Sequence, residues 1–151
     1  MNLPMRAARG FTLMEIMVVL AVMAIGLALV APNLGGMLQR LELASATREV
    51  ASALRYTRSR AIGSGRPADF WLDVKGRKYR AADERKIRQL SDSLRVHLVT
   101  ADTQTAGGGT GYIRFFPDGS STGGQVRIES EGAQRRLEVN WLTGAVRISG
   151  G

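Results

Sequence analysis

The sequence predicts an α+β protein: a long N-terminal helix, membrane-spanning in its first half, packed through its second half on an antiparallel β-sheet domain. Three observations carry this expectation. Residues 11–31 form an apolar run broken by one ionisable residue, Glu15. Apolar residues then recur at helical steps as far as Ala61, and beyond Pro67 the pattern changes to short segments separated by turn residues. Hairpin-spaced strands of this kind pair antiparallel and bury one face, here against the helix.

The apolar run comes first. Its 21 residues at about 1.5 Å each span roughly 31 Å, about one bilayer core. Arg6 and Arg9 precede it, with no acid between Met1 and Gly10. That charge bias places the N-terminus in the cytoplasm and sends the remainder outward. A cleaved secretory signal also begins with a basic segment and an apolar run, but this run is long for one and no A-x-A-like site closes it. A retained membrane helix is therefore expected. Glu15 stands out, since a carboxylate in a membrane helix costs on the order of 2.5–3.5 kcal/mol on insertion scales. Either it lies shallow and is neutralised by water or a proton, or it meets a cation in the membrane. A chain cut before Phe11 would supply one, an α-amino group one helical turn from Glu15, on the same chain or a neighbouring copy.

Pro32 removes a backbone donor, and Gly35 and Gly36 follow within a turn, so the helix is expected to soften between Ala31 and Met37. The pattern resumes through Leu38, Leu41, Val50, Leu54 and Ala61, bridged by Ala44 and Thr47. Gly63-Ser64-Gly65-Arg66-Pro67 ends it, glycine supplying the C-cap and proline forbidding continuation. Three segments follow: 11–31 as the membrane helix, 32–66 as its amphipathic continuation, and 67–151 as the β domain packing on 38–62. Strands are expected at 70–74 and 77–81, around a Lys75-Gly76 hairpin, and at 94–99. Others are expected at 112–116 before the Pro117-Asp118-Gly119 turn, at 125–129, and at 137–141 and 145–148 around Thr143-Gly144. About 110 residues outside the membrane suffice for a small core.

Most enzyme chemistry is excluded by composition. With no cysteine, disulfide scaffolds, zinc–thiolate sites and thiol nucleophiles are absent. The one histidine, His97, has no second histidine or acid cluster near it in sequence, and is expected to be structural. The glycine run at 107–111 lacks a Gly-Lys-Ser/Thr ending and opens no helix, so it is a loop between strands. Asp118 and the Asp83-Glu84 pair belong to no calcium ligand ladder. No catalytic residue, metal or cofactor is expected.

The charge of +8 is concentrated. Between Arg55 and Arg88 eleven Lys/Arg oppose four Asp/Glu, leaving +7 there. Arg55, Arg58, Arg66, Lys75, Arg77, Lys78 and Arg80 could form a phosphate-binding stripe, with Tyr56 or Tyr79 stacking on bases. Arginines also cover helix flanks with their stems or pair with acids of adjacent subunits, and no base-reading motif is present.

Gly10-Phe11-Thr12-Leu13-Met14-Glu15, after a short basic leader and before an apolar helix, resembles the class III signal of type IV pilins and type II secretion pseudopilins. The resemblance implies that residues 1–10 are a leader, that a prepilin peptidase cuts after Gly10 and N-methylates Phe11, and that Glu15 guides assembly into a filament. It also places a helix-bending proline where Pro32 stands. A simple bend at Pro32, Gly35 and Gly36, or a segment that melts as subunits join a filament, both fit. Ala53-Leu54-Arg55-Tyr56-Thr57-Arg58-Ser59-Arg60-Ala61, Phe115-Phe116-Pro117-Asp118-Gly119-Ser120-Ser121 and Trp141-Leu142-Thr143-Gly144-Ala145-Val146 are similar to the H-type minor pseudopilin (GspH/FimT) family.

What this implies is a structural, non-catalytic protein without cofactor, anchored in the inner membrane with its β domain in the periplasm. It would assemble with other major and minor pseudopilins at the tip of a pseudopilus that drives folded proteins across the outer membrane. FimT/FimU-type minor pilins share the domain, so the alternative is a type IV pilus component that binds nucleic acid for DNA uptake. Many pilins close a C-terminal loop with a disulfide, and the lack of cysteine leans toward the pseudopilin.

Overall fold

The computed structural model describes residues 11–100 and 109–150, with 28–34 described by backbone alone. Helix α1 (Leu13–Ser64) is followed by β1 (Ala68–Asp73), β2 (Lys78–Arg80), β3 (Arg88–Gln89), β4 (Arg95–Val99), β5 (Thr110–Phe115), β6 (Gly124–Ser130), β7 (Ala133–Val139) and β8 (Val146–Ser149). The chain forms two compact units, one ending at Gly35 and the other, Gly36–Gly151, holding every strand. Helical structure is continuous through Pro32, Gly35 and Gly36. Among the described residues no helix is long and apolar enough to cross a membrane.

In the second unit, α1 buries a stripe at alternating steps of four and three residues: Leu43, Thr47, Val50, Leu54, Thr57 and Ala61. The two threonines carry hydroxyls into the core without leaving them unpaired. Thr47 Oγ1 donates to the Leu43 carbonyl at 2.6 Å and Thr57 Oγ1 to that of Ala53 at 2.8 Å. Thr57 Oγ1 also accepts the Ala82 amide at 3.3 Å, which ties the β2–β3 connection to the helix. Leu38 and Leu41, expected on this stripe, are instead 65% and 57% exposed. They precede Leu43 by five and two residues, about 500° and 200° of helical rotation, which carries both to the opposite side.

The strands form two four-stranded antiparallel sheets, β3-β2-β1-β5 and β4-β6-β7-β8, where the sequence suggested one. Alternation along a strand fixes which residues face inward but not which strand lies beside it. Here β5 crosses back to pair with β1, Phe70 opposite Ile113, while β4 joins β6, Val96 opposite Ile128. Both sheets contribute to one core: Phe70, Leu72, Tyr79, Ile113 and Phe115 from the first, Val96, Val126, Ile128, Leu137 and Val139 from the second. Strand β3 has no sequence signal, since its two residues are exposed and polar and only pairing with β2 defines it.

The turns follow local chemistry. Gly65 ends α1 with a positive φ of 65°. At the Lys75-Gly76 turn, the Gly76 amide donates to Asp73 Oδ1 at 3.0 Å and Arg77 adopts φ 51°. Strand β7 stops at Val139 rather than reaching Trp141, because Asn140 Oδ1 accepts the amides of Leu142 (3.0 Å) and Thr143 (2.9 Å) and turns the chain.

Tyr79 gives the core a pH dependence. Its ring is buried against Phe70, and its hydroxyl donates to Glu49 Oε2 at 3.4 Å. Burial first, and the Glu49 carboxylate second, push the phenol above its ordinary value, with Arg88 acting in the opposite direction. A phenol raised on folding contributes stability that is complete below about pH 10, the unfolded value, and is lost as pH rises toward the folded one. Urea midpoints taken from pH 9 to pH 11 should therefore fall more steeply for the native chain than for Tyr79→Phe. Parallel curves would contradict this assignment.

Candidate assembly site and basic surfaces

The start of α1 is set by Thr12. Its carbonyl accepts the amides of Glu15 (3.1 Å) and Ile16 (3.3 Å), and its Oγ1 accepts the Glu15 amide at 3.2 Å. Thr12 is thus the N-cap and Glu15 the third helical residue, where a carboxylate is favoured by the positive end of the helix dipole. Phe11, Glu15, Ile16, Val19 and Leu20 line one face around an open depression of about 310 Å³. Phe11 is 80% exposed, and among the described residues of the unit nothing covers this face. Gly10 lies outside the described residues. The helix therefore presents an aromatic residue and a carboxylate one turn apart on an otherwise apolar surface.

The cations between Arg55 and Arg88 do not form one free stripe. Arg58, expected as an anion contact, is part-buried, and its Nε donates to the Gly119 carbonyl at 3.1 Å. Gly144 lies against the same guanidinium: a Cβ there would stand 2.9 Å from Arg58 Nε. Arg58 is thus a structural clamp between α1 and two turns, a role invisible to a charge count. Arg55 reaches the Val146 carbonyl at 3.4 Å, Arg77 pairs with Asp92, and Arg80 lies 6.0 Å over the Trp71 ring. Arg60 pairs with Asp83 at 2.7 Å and Arg88 with Glu84 at 3.3 Å, which also accounts for the Asp83-Glu84 acids. Among the described residues, Arg66, Lys75 and Lys78 make no ion pair. Tyr79 is buried and so cannot stack on a base, whereas Tyr56 is exposed.

The remaining candidates fall as follows. Asp118 caps its own turn: its Oδ1 accepts the Ser120 hydroxyl at 2.6 Å and the Ser120 amide at 2.9 Å. These bonds, the hydroxyl first, hold its carboxyl below the ordinary range. His97, expected as a structural histidine, is exposed on β4 with Nε2 3.8 Å from Glu129 Oε2. Residues 107 and 108 of the glycine run lie outside the described residues, and Gly111 pairs with Leu72 in the first sheet. Among the described residues no three His, Cys, Asp or Glu side chains gather as metal ligands.

The segments that suggested a family meet in space. The Phe116–Ser120 turn packs on the Trp141–Ala145 turn, with the Ser121 amide donating to the Trp141 carbonyl at 2.8 Å and Arg58 of α1 between them. Comparison with known proteins agrees. The family model described as type II transport protein GspH matches residues 46–144, and the prokaryotic N-terminal methylation motif matches residues 5–31. A type II secretion system protein H from Xanthomonas campestris pv. campestris is 36% identical over 142 residues, covering 94% of this chain and 83% of that protein. By fold, the chain is similar to the minor pseudopilin EpsH of the Vibrio cholerae type 2 secretion system (TM-score 0.56, 16% identity, 72% of this chain and 97% of that one). It is equally similar to the Pseudomonas aeruginosa type IV minor pilin FimU (TM-score 0.56, 18% identity, 74% and 90%). The chain belongs to the type II transport protein GspH family and carries that family's fold behind an N-terminal methylation motif.

Proposed function

We propose that this protein is a minor pseudopilin of a type II secretion system, working as a structural subunit at the tip of a periplasmic pseudopilus. The carrying observation is the pairing of a Gly10–Glu15 processing motif on a helix with a GspH domain over residues 46–144. In this reading residues 1–10 are a leader removed by a prepilin peptidase, and residues 11–31 are the inner-membrane anchor. Residues 32–66 continue the helix, and 67–151 form the periplasmic domain. Cleavage after Gly10 exposes the Phe11 amine on the face that bears Glu15, and other pseudopilins dock there. A carboxylate and an amine removed from water together cost far less than either alone, so the pair selects register between subunits. Pro32, Gly35 and Gly36 mark the joint between anchor and periplasmic unit. The function is mechanical: growth of the filament moves folded exoproteins through an outer-membrane channel.

The fold is equally like that of FimU, a type IV minor pilin, so the alternative reading is a type IV pilus minor pilin, with DNA as a further ligand to be tested. Deletion of the gene separates the two readings. Export of secreted enzymes should fall to background while pilus-dependent motility and DNA uptake stay at wild-type levels. The reverse pattern would favour the pilus.

A further inference from the structure

The second sheet turns a basic face away from the core. Alternation puts Arg95 and His97 of β4, Gln125, Arg127 and Glu129 of β6, Gln134, Arg136 and Glu138 of β7, and Arg147 of β8 on that outer side. The register aligns His97, Arg127 and Arg136 as direct neighbours across three strands. Four arginines thus share the face with two glutamates. Like charges directly opposite one another weaken a sheet, so Arg127 beside Arg136 works against the fold. Glu129 compensates one end only, lying 3.8 Å from Arg95, His97 and Arg127. Arg136 and Arg147 make no ion pair among the described residues, although the register sets Glu138 opposite Arg147. Arg127 Nε and Gln125 Nε2 are shielded from water without an acceptor. An open depression of about 250 Å³ beside Arg136 is lined by Gln134, Arg136, Ser149 and Gly150.

We propose that this outer face is a docking surface for an acidic segment of another protein, whose carboxylates seat on Arg127, Arg136 and Arg147. Every cation on it besides His97 is arginine, whose planar fork pairs with carboxylates bidentately, as Arg114 does with Asp69 in this chain at 2.7 and 2.8 Å. Glu129 and Glu138 stand among the arginines, which repels a continuous polyphosphate but suits a protein able to place a polar or basic side chain opposite each. No Phe, Tyr or Trp belongs to the described strands of this sheet to stack with bases. A chain of net charge +8 is a poor source of the acidic segment, so the partner is a different protein. The inference stands on the chemistry of the face and needs neither the secretion nor the pilus assignment.

The test uses the full chain in detergent micelles with two labelled probes, a ten-residue glutamate peptide and a short DNA duplex. Arg136→Gln/Arg147→Gln should weaken peptide binding at least fivefold, while Lys75→Gln/Lys78→Gln changes it less than twofold. Because Arg136 opposes Arg127, Arg136→Gln alone should keep or raise the thermal midpoint, the opposite of what a structural role would give. Unchanged peptide binding, or a lowered midpoint in Arg136→Gln, overturns the proposal. So does duplex binding tighter than peptide binding and lost in the same variant, which would assign the face to nucleic acid.

Discussion

Gly144→Ala is expected to destabilise the second unit by on the order of 3 kcal/mol or more, combining a disfavoured backbone with a clash. Gly144 is buried with φ 61°, where any L side chain is disfavoured by about 1–2 kcal/mol. The larger part is crowding. A Cβ at this position would fall inside van der Waals contact with the Gly119 carbonyl oxygen and 2.9 Å from Arg58 Nε. Carbonyl and turn are both backbone, so relief requires one of the two turns to move. That movement breaks the Arg58–Gly119 bond and exposes the joint between α1 and the second sheet. Gly132→Ala is the control. Gly132 has φ 75° but open space around it, so it should lose only the backbone share, about 1 kcal/mol. For a domain of this size the two variants should differ by ~5 °C or more in thermal midpoint. Equal losses would show that the contact between the two turns contributes nothing.

Glu15→Ala is the second large effect, on assembly rather than folding. Glu15 is exposed in the isolated chain, so alanine should leave the helix, its Thr12 cap and cleavage after Gly10 intact. In a filament the Phe11 amine would lose its counter-charge in an apolar setting, which costs about 3–5 kcal/mol for a broken buried pair. Incorporation, measured as the fraction of this protein cross-linked to other pseudopilins, should fall more than ~100-fold at equilibrium. Normal incorporation with normal cleavage would remove the amine–carboxylate pair from the account.

Features governed by chemistry a few residues long were legible in the sequence. Gly65 at the end of α1, the hairpin at Lys75-Gly76 and the turns at Asp118-Gly119 and Thr143-Gly144 all stand where their residues predict. The N-terminal methylation motif over residues 5–31 was legible for the same reason. Properties that depend on distant partners were not. The phase of the helical stripe is decided by what α1 packs against, so Leu43 replaced Leu38 and Leu41. The split into two sheets depends on β5 returning to β1, which alternation cannot express. Arg58 looked like part of a basic run because its charge is local, whereas Gly119 and Gly144, which hold it, lie far along the chain. The arginine face of the second sheet escaped for the converse reason: its members come from four separated strands and make no run at all.

In the function proposed above, a processed N-terminus turns an inner-membrane precursor into a filament subunit. Its most direct measurement is the intact mass and N-terminal sequence of the protein purified from membranes of cells with and without prepilin peptidase. The chain should begin at N-methylated Phe11 in the first case and retain residues 1–10 in the second. An unprocessed N-terminus in cells with active peptidase would contradict it.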